Sequence, residues 1–160
     1  MARTVLSVIF LVVTGFVVSS GNTNATVQQN ESEHTAQAIN GVLKAQVTAW
    51  NSGDVPGFMD GYVKNERLRF ASGGSVTTGW QKTLDRYLKR YTNSEIMGTL
   101  AFKDIEILQL SPEYAEVFGS WHLARTKEMG NASGLFTLLM KKTKDGWRVF
   151  HDHTSSATTE

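Results

Sequence analysis

Every helical pattern in this chain precedes a run of four long β-rich segments, and that order limits the fold more than any other feature of the sequence. Ile39, Val42, Leu43, Gln46, Val47 and Trp50 fall at i, i+3, i+4, i+7, i+8 and i+11, one face of a helix from about 35 to 51. Asn51-Ser52-Gly53-Asp54 breaks it. Asp54 is placed to cap a short second helix with Pro56 in its first turn, where the missing N–H costs nothing, and with Phe58, Met59 and Tyr62 on it. Residues 68–71 and 75–78 read as a strand and its return around Ser72-Gly73-Gly74. Thr78-Gly79-Trp80-Gln81 has the form of a capping box, opening a third helix through about Tyr91 with Leu84, Tyr87, Leu88 and Tyr91 on one side. From there the runs 100–110, 114–127, 135–142 and 147–154 are β-rich, separated by Ser111-Pro112, Gly130-Asn131 and the hairpin signal Lys144-Asp145-Gly146. Three helices followed by an antiparallel meander predict an α+β domain, its curved sheet wrapped around the helices.

The rest of the composition narrows the function classes. The chain has 160 residues, 41% of them hydrophobic, enough to close one core. A net charge of +1 gives no bulk field toward a polyanion, so no nucleic-acid partner is expected. Cysteine is absent, which excludes disulfides, thiol nucleophiles and thiolate metal sites. Arg3, the apolar run Val5 to Val18 and the small polar residues Ser19 to Ala25 form a signal-peptide pattern, with a run too short for a stable membrane span. Export to the periplasm or the exterior is therefore expected, with cleavage after Ala25 or Ser20. The domain reading is a signal peptide at 1–25, a flexible tether at 26–34, one domain at 35–156 and a tail at 157–160. Asn24, Asn30 and Asn131 head glycosylation sequons, which matter only in a eukaryotic host.

Ala49-Trp50-Asn51-Ser52-Gly53-Asp54, the stretch Phe70 to Trp80 and the ending Asp145 to Ser155 together resemble the SnoaL-like family. That family belongs to the cone-shaped NTF2-like (ketosteroid-isomerase-like) domains, and the likeness points to an uncharacterised, DUF4440-type branch. The resemblance covers about Ile39 to Ser155 and implies a conical pocket and a homodimer. Relatives include isomerases, dehydratases, polyketide cyclases and non-catalytic binding or oligomerising domains, so function has to be argued from the site. The isomerase relative uses an aspartate base, with a tyrosine and a protonated aspartate holding the oxyanion. Laid on this chain, the tyrosine position falls on Gln46, the base on Phe70 and the second aspartate on Leu138, while a pocket tyrosine of the third helix meets Tyr87. None of the three chemical positions keeps its group. Ketosteroid-type isomerisation is therefore not expected, although Gln46 could donate a hydrogen bond to a ligand oxygen.

Strict alternation in the last strand puts Val149, His151 and His153 on one face and Arg148, Phe150 and Asp152 on the other. The isomerase comparison makes the first set face the pocket, with Phe136, Leu138, Met140 and Trp121 beside it. The two imidazoles would stand about 7 Å apart along the strand. An unperturbed imidazole has its pKa near working pH, so one of the two could act as general acid or base; the plainer alternative is that both only hydrogen-bond their neighbours. A metal would need a third ligand, and none is evident. His122 has strand parity opposite to Trp121, and His34 lies in the tether, so neither metal nor cofactor is expected. Ser72-Gly73-Gly74-Ser75 joins strand to strand and reads as a turn, not a phosphate loop. Lys141-Lys142-Thr143-Lys144 reads as a solvated hairpin tip, and no nucleophile elbow is present.

The expected pocket thus comprises Gln46, Trp50, Phe58, Tyr62, Phe70, Tyr87, Trp121, Leu138, His151 and His153. The expected function is binding of a small apolar or aromatic ligand. The alternative is a lyase, cyclase or isomerase using His151 or His153 on a hydrophobic carbonyl compound.

Overall fold

The structure is a computed structural model that describes residues 21–157. Residues 1–20 of the expected export segment and the tail beyond 157 lie outside the described residues. Helix α1 spans Gly21–Asn51, so the segment 26–34 is not a tether but the exposed first part of this helix. The correction has a simple cause. Residues 26–34 contain neither Gly nor Pro, and extending an established helix costs far less than starting one. From Thr35 the helix buries a face, through Ile39, Leu43, Gln46 and Trp50. Asn51 fastens its end to the sheet: Oδ1 accepts from the Leu100 N–H at 2.7 Å and Nδ2 donates to the Leu100 carbonyl at 3.1 Å.

Helix α2 is Val55–Met59, and Asp54 caps it by accepting from the Gly57 N–H at 2.8 Å. Strands β1 (Arg69–Ser72) and β2 (Ser75–Thr78) form a hairpin, followed by α3, Trp80–Arg90. The capping box does not form. Gly79 is the N-cap with φ 99°, a conformation suited to glycine, and the Thr83 hydroxyl donates back to its carbonyl at 2.9 Å. A further helical turn, α4 (Ser94–Met97), is capped by Asn93, which accepts from the Ile96 N–H.

The meander follows as β3 (Thr99–Gln109), β4 (Tyr114–Ala124), β5 (Ala132–Thr143) and β6 (Gly146–Thr154). The sheet order is β2-β1-β6-β5-β4-β3. Its pairs are antiparallel except β1 with β6, which run parallel. Helices and sheet close on a core in which Ile39, Met59, Leu68, Val117, Met140 and Val149 are fully buried. Among the described residues no helix is long and apolar enough to cross a membrane.

Two bulges shape the sheet. In β3 the register shifts between Lys103 and Glu106, where Asp104 takes φ 52°. In β6 it shifts between Val149, opposite Met140, and His151, opposite Leu139, leaving Phe150 as the extra residue. A bulge bends its strand and changes which residues face inward beyond it. Before the bulge Trp147 and Val149 are buried; after it Asp152 is buried and His153 is exposed. The segment before β1 docks at the same place, Val63 donating to the Val149 carbonyl and the Val149 N–H to the Gly61 carbonyl, both at 2.9 Å.

Candidate functional site

Between the helices and the concave face of the sheet lies a cavity of about 300 Å³. Its walls come from every layer of the fold: Trp50 from α1, Phe58 from α2, Tyr87 from α3, Phe70 from β1, Trp121 from β4 and Leu138 from β5, with Gln46 and Tyr62 between them. The rings meet mostly edge to face. The Trp50 centroid lies 5.2 Å from that of Phe58 and 4.7 Å from that of Tyr91, and Tyr87 sits 5.6 Å from Phe70. Such pairs add to the area they bury and hold the aromatic side chains in fixed positions. Gln46 lines the cavity, but its amide already donates to the Phe58 carbonyl at 3.2 Å. Gly61 permits this, since a Cβ there would come within 2.6 Å of the Gln46 amide. Gln46 therefore ties α1 to α2.

The polar centre of the cavity is Asp152. The β6 bulge turns it inward, so His151 and His153, expected to face the pocket, are not among the lining residues. Both lie toward the other face, where His151 is the register partner of Arg69. Partial burial, then the charges of Arg69 and His153, lower the His151 pKa. Strict alternation failed because two consecutive residues, Phe150 and His151, share the outward side, and nothing in Trp147 to Thr154 announces this.

Asp152 has apolar neighbours on both sides: Phe70 is its register partner on β1 and Leu138 its partner on β5. These are the two positions where the isomerase comparison found a carboxylate missing, and the carboxyl stands on the strand between them. The Tyr62 hydroxyl donates to Oδ2 at 2.8 Å, while Oδ1 is buried with no hydrogen-bond partner among the described residues. Burial pushes the Asp152 carboxyl up to about 7, against the lowering effect of the Tyr62 bond. Burial, followed by the charge of Asp152, holds the Tyr62 and Tyr87 phenols well above their ordinary range. The cavity thus holds a neutral-to-anionic carboxyl poised near pH 7 beside two protonated phenols. Tyr62→Phe removes the donor to Oδ2 and is expected to raise the Asp152 pKa further, by about one unit, since a hydrogen bond to a charged group is worth about 1.5–3 kcal/mol. Carboxyl titration by infrared difference spectroscopy checks this; an unchanged or lower pKa would contradict the role given to Tyr62.

The mouth has a different character. Arg86 and Arg90, one turn apart on α3, both line it. The Arg86 guanidinium lies 5.2 Å from the Phe70 ring centroid, and its Nη1 donates to Thr77 Oγ1 at 3.3 Å and Ser75 Oγ at 3.5 Å. Arg90 stands 5.7 Å from the Tyr91 ring centroid. A cleft lined by Lys103, His122 and Arg125 adjoins the mouth, sharing Arg90, Tyr91 and Trp121 with it.

A helix-packed, curved sheet enclosing an apolar cup is the architecture of the NTF2-like cone. The chain is 42% identical to an NTF-2 like protein of unknown function from Shewanella oneidensis MR-1, with 75% of this chain and 98% of that one covered at a TM-score of 0.71. A ketosteroid isomerase-like protein from Erwinia carotovora atroseptica shares the fold at 20% identity, 77% and 96% coverage and a TM-score of 0.62. So does an NTF2-like protein from Novosphingobium aromaticivorans, at 13% identity, 90% and 94% coverage and a TM-score of 0.66. No protein-family model and no curated protein matches the chain. The chain belongs to the NTF2-like family.

Proposed function

We propose that the cavity binds a small, mostly apolar or aromatic ligand with a polar group that is received by Tyr62 and Asp152. The observation that carries this reading is the buried Asp152 Oδ1, which has no hydrogen-bond partner among the described residues and belongs to a side chain lining a cavity rich in aromatic rings. A buried polar atom without a partner is costly, and a ligand hydroxyl or carbonyl meeting a protonated carboxyl there would remove the cost. Because Trp50 and Trp121 line the same space, phenylbutanol is expected to change the tryptophan emission saturably and to raise the melting temperature. The absence of any saturable response to this or similar neutral aromatic alcohols would remove the reading.

A second reading, proton transfer on a hydrophobic carbonyl compound, is favoured by the Asp152 pKa of about 7, close to the value a general acid or base needs. In this reading Asp152 takes the role first expected of the histidines. We further propose that the chain is exported, that it falls in the DUF4440-type branch, and that it pairs with a second copy. Leu108, Tyr114, Phe118 and Leu135, exposed on β3, β4 and β5, are the apolar residues available for that pairing.

A further inference from the structure

The cavity and its mouth differ sharply in charge. Among the described residues, no Asp or Glu besides Asp152 lines the cavity or the adjoining cleft, whereas Arg86, Arg90, Lys103 and Arg125 do. Among the described residues the ion pair is Lys64 with Asp60, so neither mouth arginine is neutralised by a carboxylate. Arg86 is half-buried and held in place by the Phe70 ring and by two hydroxyls. Those contacts leave its planar fork of donors largely unspent. Its charge also reaches inward, favouring ionisation of the Tyr87 phenol.

We infer that the ligand is an apolar or aromatic monocarboxylic acid: its carboxylate is gripped at the mouth by Arg86 and Arg90, its apolar body fills the cup, and a hydroxyl or carbonyl on that body meets Tyr62 and Asp152. The inference rests on the binding reading above and names the ligand class for the same site. An arginine fork matches a carboxylate in shape as well as charge, and the apolar walls contribute affinity without selecting for charge.

The test compares phenylbutyrate with phenylbutanol, which has the same body without the charge, by tryptophan emission at low ionic strength. About pH 6 is suitable, because the probe is ionised there while Asp152, with a pKa of about 7, is mostly protonated. The acid is expected to bind about tenfold more tightly than the alcohol, the scale of one charge-assisted hydrogen bond. In Arg86→Gln/Arg90→Gln that advantage of the acid over the alcohol is expected to vanish. Arg90→Gln alone, at an exposed position, should lose part of the advantage and keeps the test readable if the double variant also loses the alcohol site. Equal binding of the two probes to the native chain, or an advantage that survives in the double variant, overturns the inference while alcohol binding leaves the cavity reading standing. If the native chain binds neither probe, both fall together.

Discussion

Asp152→Asn is expected to be more stable than the native chain at about pH 9, by about 4 kcal/mol, and nearly equal to it at about pH 4. The folded-state pKa of about 7 stands above the ordinary carboxylate value, so over the interval between them the native state holds a proton that the unfolded chain has released. Stability from this group is therefore complete below about pH 4, falls as pH rises, and is lost once pH passes about 7. A gap of about three units at about 1.4 kcal/mol each gives the magnitude. The substituted amide does not titrate, and the Tyr62 and Tyr87 phenols stay protonated below their raised pKa values, so up to about pH 9 the difference between the two stability–pH curves reports Asp152. Urea unfolding at a series of pH values measures it. Parallel curves would mean that the carboxyl is not buried as described, and both proposed uses of it would lose their support. If the chain also turns over a carbonyl compound, the same substitution should abolish an inflection near pH 7 in the rate profile. His151→Ala and His153→Ala should leave that inflection in place.

Trp50→Ala is expected to cost about 3–5 kcal/mol, the range for removing a buried large aromatic side chain. Trp50 is 4% exposed and meets Phe58, Tyr87 and Tyr91 edge to face. Its indole N–H donates to the Met97 carbonyl at 3.3 Å, linking α1 to the turn that precedes β3. The substitution thus removes a core member, a cavity wall and a tie between layers. Chemical unfolding should show the loss, and phenylbutanol binding should weaken with it. A cost below about 1 kcal/mol would place the indole outside the core, contrary to the packing described.

Much of the fold was legible because its signals are local. The apolar period of residues 39–50, the Asp54 cap and the glycine hairpin before Trp147 are each set by a few neighbouring residues. The aromatic wall was legible too, for large apolar faces on amphipathic helices must meet somewhere. Two local signals misled. The polar stretch 26–34 continues a helix without needing a buried face, and Thr78 does not cap α3 because Gly79 takes the N-cap position. The parallel pairing of β1 with β6 joins segments about eighty residues apart and carries no local mark.

The sequence by itself determined the order of helices and strands and the aromatic side chains that wall the cup. Tertiary structure alone decided which polar group the cup contains. One extra residue at Phe150, where the 61–63 segment docks against Val149, changes which side chains face inward beyond it, removing His151 and His153 from the cavity and bringing Asp152 between Phe70 and Leu138. The physical reason is that strand parity is a count along the chain, and a single bulge, fixed by contacts from distant segments, resets that count.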